Sequence, residues 1–162
     1  MRRLLSTTLV VLCSAVVPAI TFAQSAPSDF SGTWVLQPAK SEGPMIPPSA
    51  QLVVTQSGKQ LSYEQTATTP AGTRVNKVSV HTDGTLSKNP VSGPNGASID
   101  FNSTTAWDGP TLVITTTADL NGGLKQVERW TLSADGKELT ILGNIAVSGQ
   151  TASAKMSYVK KP

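Results

Sequence analysis

Four dipeptides, Ser57-Gly58, Asp83-Gly84, Asp108-Gly109 and Asp135-Gly136, stand 26, 25 and 27 residues apart, and a leucine follows each glycine by two or three positions (Leu61, Leu86, Leu112, Leu139). Midway between them lies a second set: Thr69-Pro70-Ala71-Gly72, Gly93-Pro94-Asn95-Gly96, Asn121-Gly122-Gly123 and Ser148-Gly149. Asp-Gly and Asn-Gly reach the positive φ values that tight reversals demand. A reversal therefore comes about every thirteen residues, alternating between two sets. This is the spacing of a chain that runs up, turns, runs down and turns again.

The segments between reversals alternate in polarity with a period of two, the mark of a strand with one buried face. Leu61, Tyr63, Gln65 and Ala67 share one face, against Ser62, Glu64 and Thr66. Ile99, Phe101, Ser103, Thr105 and Trp107 oppose Asp100, Asn102, Thr104 and Ala106. Leu112, Ile114 and Thr116 oppose Val113, Thr115 and Thr117, and Leu139, Ile141, Gly143 and Ile145 oppose Thr140, Leu142 and Asn144. The pattern predicts ten strands, at 31–36, 50–56, 60–68, 73–82, 85–91, 97–107, 111–118, 124–133, 138–147 and 151–160. The least strand-like is 85–91, where Pro90 lacks a ladder donor and restricts the segment to an edge or an end. No amphipathic helix stands out.

A flat sheet of this kind leaves its apolar face bare. The expected fold is thus all-β: an antiparallel up-and-down meander of 8–10 strands curling into a barrel, with a two-sheet β-sandwich as the alternative. An even strand count lets the first and last strands meet antiparallel, which removes exposed edges.

The first residues read as a targeting signal. Arg2 and Arg3 precede an uncharged, mostly apolar run from Leu4 to Val17, and Thr21-Phe22-Ala23 supplies a small-residue cleavage site. The expected division is a signal peptide at 1–23 and one barrel domain at 24–162, exported to the periplasm or beyond. The apolar run is short for a membrane span, and no later stretch approaches one. The paired arginines lack the motif of folded-protein export. Cys13, the single cysteine, follows Val11-Leu12, so a lipid anchor there is not expected. Losing Arg2 and Arg3 takes Lys+Arg from 13 to 11 against 10 acids, which leaves no basic excess for nucleic acid or an anionic membrane. The exported part holds no cysteine and is stabilised by burial and hydrogen bonds alone. A monomer is expected, and the Lys160-Lys161 pair is read as a solvated end.

The stretch Asp29–Ser41, "DFSGTWVLQPAKS", opens the first strand with Gly32-Thr33-Trp34, and a long proline-bearing connection follows. A Gly-x-Trp first strand ahead of an antiparallel meander resembles the calycin group, meaning lipocalins and fatty-acid-binding-type barrels. Over residues 29–41 the chain is similar to the N-termini of small secreted bacterial lipocalin-like proteins. The resemblance implies that Gly32 and Trp34 form the barrel-closing motif, with the indole packed under a basic residue of the last strand. Lys155 and Lys160 are the lysines of that strand. The disulfides and C-terminal helix usual in lipocalins have no counterpart here, which favours a ten-strand or minimal barrel. The resemblance also implies that the connection from Gln37 to Ser49, with Pro38, Pro44, Pro47 and Pro48, lies across the open end. There Met45 and Ile46 are placed to dip into the mouth; an ordinary surface connection is the alternative.

Catalytic chemistry is sparse. His81 is the one histidine, and Cys13 falls in the leader, so Cys/His and multi-histidine metal centres are not expected. No serine sits in a nucleophile motif, Asp119-Leu120-Asn121-Gly122 lacks the later ligands of a calcium loop, and no Gly-rich phosphate loop opens a helix. Neither a cofactor nor an enzymatic activity is expected. Glu128 and Gln126 share a face with Leu124, Trp130 and Leu132; if it turns inward, Arg74, Arg129 or a ligand would have to balance the carboxylate. The expected function is a lipocalin-like binding protein for a small, largely apolar molecule, lined by Tyr63, Phe101, Trp107, Trp130 and Met156. The alternative is a structural or interaction module of the cell envelope with a solid core.

Overall fold

The computed structural model describes residues 27–44, 46–92, 97–120 and 122–162, so the segment expected to be a leader, Met45, the reversal expected at Gly93–Gly96 and Asn121 lie outside the described residues. Ten strands form, each within two residues of the segment read from the pattern: β1 (Gly32–Leu36), β2 (Ser49–Ser57), β3 (Gln60–Thr69), β4 (Gly72–His81), β5 (Ser87–Ser92), β6 (Ser98–Asp108), β7 (Thr111–Ala118), β8 (Leu124–Leu132), β9 (Glu138–Val147) and β10 (Gln150–Lys160). A 3-10 turn, Pro38–Lys40, interrupts the connection after β1, with Pro38 at its first position, where the missing N–H costs nothing.

All ten strands belong to one sheet, in the order β4-β3-β2-β1-β10-β9-β8-β7-β6-β5, which rules out two separate facing sheets. Strands β1 and β10 pair antiparallel, with Trp34 opposite Lys160 and Leu36 opposite Tyr158, so the two ends of the meander join as the even count requires. The sheet curls until β4 and β5 face each other, and the barrel is nearly closed.

The β4–β5 connection departs from the simple hairpin series. Asp83-Gly84 makes a reversal, with Asp83 Oδ1 accepting from the Thr85 amide at 3.1 Å, but no backbone ladder follows it. Side chains stand in for the missing strand pairing. Asn89 takes the Ser79 amide on its Oδ1 at 2.8 Å and returns its Nδ2 to the Ser79 carbonyl at 3.0 Å. Ser87 Oγ accepts from the His81 amide at 2.9 Å, and Thr105 Oγ1 donates to the His81 carbonyl at 2.6 Å. The edge groups of β4 at Ser79 and His81 are thereby satisfied, as backbone polar groups away from bulk water must be. Pro90 in β5 lies opposite Asp100 of β6, on the edge strand to which its missing donor restricts it.

The two sets of reversals occupy the two ends of the barrel, and burial differs sharply between them. Next to the first set lie Leu61, Val80, Leu112, Trp130, Leu139 and Tyr158, all no more than 1% exposed. Phe30 plugs this end. Its ring stacks on Trp107 (centroids 6.2 Å apart) and meets Trp130 edge-on (5.8 Å). Gln56 clamps the plug by accepting from the Phe30 amide at 3.2 Å and donating to the Ser28 carbonyl at 3.1 Å. Next to the second set, Ala50, Ala118 and Leu124 are buried, but most of the inward faces carry half-buried or exposed residues, including Gln65, Ala67, Arg74, Asn76, Gln126, Ile145 and Ala152. One end is packed solid and the other is only partly filled.

Candidate ligand-binding cavity

The interior space follows from small residues on two strands. In β9 and β10 the inward face carries Gly143 and Ile145 opposite Ala154 and Ala152, and Gly143 and Ile145 also lie opposite Glu128 and Gln126 of β8. A glycine and two alanines cannot fill the volume that leucines fill at the closed end. A cavity of about 160 Å³ remains, lined by those residues together with Asn144, Ser153, Met156, Pro44 and Ile46. A second hollow, about 370 Å³ and bounded by Glu42, Leu142, Asn144, Ser153 and Lys155, is larger but is a trough on the outer face of β9 and β10, open to water. The first, half-enclosed and the more apolar of the two, is the one suited to holding an apolar molecule.

The roof is held down along β10. The Gln37 amide donates to the Ser157 carbonyl at 2.8 Å, and Glu42 and Lys155 exchange both backbone hydrogen bonds at 2.8 and 2.7 Å. Their side chains also pair at 3.1 Å. Gly43 sits at φ +130°, and a Cβ there would lie 2.9 Å from the Ala154 Cα and the Ser153 carbonyl oxygen, so only glycine allows this approach. Pro44 then reaches the cavity, and Ile46 packs against the buried core. The connection from Gln37 to Ser49 thus roofs part of the open end; Met45 lies outside the described residues.

Beneath the roof is a polar layer. Glu128 Oε1 accepts from Gln126 Nε2 at 2.7 Å, and Oε2 accepts from the Trp130 indole at 3.2 Å. Across the barrel, Gln65 Nε2 donates to the Tyr158 hydroxyl at 3.0 Å, and that hydroxyl donates weakly to Met156 Sδ at 3.6 Å. Tyr63 packs its ring on Trp130 at 5.1 Å. Ser103 and Thr116 share a hydrogen bond at 2.8 Å on the inward face of β6 and β7. Burial pushes the Glu128 carboxyl above its ordinary range, although the indole and amide donors oppose that. Burial, then the nearby carboxylate, push the Tyr63 phenol up strongly. Burial, opposed by the Gln65 bond and aided by the Glu128 charge, brings Tyr158 to about 12.

The residues read as lining candidates separate by depth. Met156 borders the cavity. Trp130 and Tyr63 form the floor below it, joined to it through Glu128. Trp107 lies in the closed end, stacked on Phe30 and donating to the Thr82 carbonyl at 3.0 Å. Phe101 shares the inward face of β6 but stands half-buried toward the open end, outside the main core cluster. Gly143, Ile145, Ala152 and Ala154 border the cavity without having been singled out; the run of small residues on one face of β9–β10 was the available signal. Neither arginine balances Glu128. Arg129 pairs with Asp108 on the outside, and Arg74 is exposed at the rim opposite Ala67. Among the described residues no group of three His, Cys, Asp or Glu side chains is placed to hold a metal ion, and no helix is long and apolar enough to cross a membrane.

The opening triplet lies at the closed end. Trp34 is fully buried, and its indole N–H donates to the Phe30 carbonyl at 2.9 Å. Lys160 Nζ lies 5.1 Å from the centre of its ring, within cation–π range, so this lysine is part of the base and not a free tail. Gly32, at φ +135°, leaves the lane through which the Lys160 stem passes, since a Cβ there would stand 2.7 Å from Lys160 Cε.

No protein-family model matches the sequence, and no curated protein matches it at a significant level. Solved structures do match in fold. The zebrafish ileal bile acid-binding protein, solved with cholic acid, superposes with a TM-score of 0.51 at 18% identity, over 82% of this chain and 98% of that one. Secretory abundant heat soluble protein 4 from Ramazzottius varieornatus gives 0.54 at 15% identity, over 82% and 95%. The siderocalin Ex-FABP gives 0.42 at 10% identity, over 83% and 75%. With ten antiparallel strands in one nearly closed barrel and an N-terminal indole sealed under a C-terminal lysine, the chain has the fold of the lipocalin-like calycins.

Proposed function

We propose that this chain is an exported binding protein that admits a small, largely apolar molecule to its barrel, works as a monomer, and performs no reaction on what it holds. The observation that carries this reading is the roofed cavity of about 160 Å³ at the unfilled end of an otherwise close-packed barrel. A dry cavity of roughly 150 Å³ suffices for a benzene-sized guest. The bile-acid-binding barrel of similar fold supports a small-molecule role, and the basic, apolar, small-residue leader at 1–23 supports export. The densely packed closed half favours a second reading, a scaffold module of the envelope whose cavity is incidental.

Tryptophan fluorescence separates the two readings, because Trp130 lies one hydrogen-bonded side chain from the cavity. The protein is titrated with neutral apolar compounds, from toluene to long-chain alcohols. Binding predicts a saturable change that Ala154→Leu abolishes while leaving the fold intact, since leucine fills the space. Silence across the panel, or an unchanged response in Ala154→Leu, overturns the binding reading and leaves the scaffold one.

A further inference from the structure

The cavity contains a carboxylate with no cation. Each oxygen of Glu128 takes one hydrogen bond, from Gln126 or Trp130, whereas an ionised carboxylate has about four acceptor positions. The described basic side chains are engaged or exposed elsewhere. Lys40, Lys59, Lys77, Lys155 and Arg129 pair with surface acids. Lys160 covers Trp34, and Arg74, Lys88, Lys125, Lys137 and Lys161 are exposed. The Tyr63 hydroxyl, on the same interior layer, makes no hydrogen bond to another described residue. The rest of the wall is mostly apolar, with Pro44, Ile46, Ile145, Ala152, Ala154 and Met156, and its other polar residues, Gln126, Asn144 and Ser153, are uncharged.

Resting on the binding reading above, we infer that the cavity is built for an apolar amine, its ammonium meeting Glu128 and its hydrocarbon part lying against Ile46, Ile145 and Met156. A buried charge without a counter-ion is costly, and an arriving ammonium supplies both the charge and a charge-assisted hydrogen bond. An apolar carboxylate brings a second negative charge to the same poorly solvated site, where like charges repel most strongly. An alcohol donates one neutral bond. The expected order is amine, then alcohol, then carboxylate.

The test uses benzylamine, benzyl alcohol and benzoate, nearly equal in shape, titrated calorimetrically at pH 7 into the exported chain and its Glu128→Gln variant. Benzylamine is expected to bind the wild type about 10- to 100-fold more tightly than benzyl alcohol, the worth of one hydrogen bond to a charged group, with benzoate weakest. Glu128→Gln is expected to erase the amine advantage and keep alcohol binding within a few-fold. Benzoate binding as well as benzylamine, or an amine advantage that survives Glu128→Gln, overturns the inference. If the variant does not fold, the wild-type order alone decides. If neutral apolar probes bind but the three compounds show no order, only this inference fails; if nothing binds, the binding reading fails with it.

Discussion

Replacing Gly32 with alanine tests how the barrel base is assembled. Two costs arise. The backbone at φ +135° is a conformation that side chains rarely adopt, and holding a non-glycine residue there costs about 1–3 kcal/mol. The new Cβ would also stand 2.7 Å from Lys160 Cε. That contact is with the far part of a flexible side chain, so the lysine swings away and forfeits its place over the Trp34 ring, worth about 0.5–1 kcal/mol at an exposed site. Alanine returns about 0.4–1 kcal/mol by restricting the unfolded chain. The net destabilisation is about 1–3 kcal/mol, or roughly 3–15 °C in melting temperature for a domain of this size. Strain is the larger part, so removing the lysine does not cure the variant. A double-mutant cycle with Lys160→Ala, followed by urea unfolding, is expected to show a coupling of only about 0.5–1 kcal/mol, the cation–π part lost once and not twice. Full rescue of Gly32→Ala by Lys160→Ala would show that the close contact, and not the backbone, requires glycine. A cost below about 0.5 kcal/mol would refute the backbone argument as well.

The seam offers a second test: Asn89→Ala removes both surrogate bonds to Ser79, at an expected cost of about 1–2 kcal/mol, and hydrogen exchange at the Ser79 amide should accelerate ahead of the rest of β4; unchanged protection would mean that water already satisfies that edge. The chain has two tyrosines, both interior, so ultraviolet titration should show little phenolate at pH 10–11 while the fold holds. Each phenol is raised in the folded state, so stability falls as pH climbs past the ordinary tyrosine value of about 10, and both tyrosines should ionise together on alkaline unfolding; early ionisation of one would contradict its burial. Glu128 is an acid whose folded value is raised, so the folded state holds the proton more tightly and Glu128 favours folding at low pH, an advantage lost as pH rises through the raised value. The stability of Glu128→Gln relative to wild type should therefore increase from pH 4.5 upward, as followed by thermal melts; a flat difference would place the carboxylate in water.

Strand number and the sites of reversal were legible because each is local. Asp-Gly and Ser-Gly pairs set backbone signs without regard to the rest of the molecule, and alternation in Leu61–Ala67 or Leu139–Ile145 reports which face seeks burial. Even Trp34 under a last-strand lysine was within reach, since the Gly-x-Trp triplet and Lys160 are both visible in the chain. Local patterns do not say which residues meet across a sheet. The β4–β5 seam exists because curvature, not sequence neighbourhood, brings those edges together, and Asn89 closes it from ten residues away. The cavity depends on register: Gly143 becomes a gap only because Ala154 and Glu128 stand beside it. Arg129 is next to Glu128 in the chain and on the opposite face of the same strand, so it pairs outside with Asp108 and leaves the interior charge unbalanced. Proximity along a strand and proximity in space diverge at every second residue, and that divergence is what three-dimensional folding alone decides.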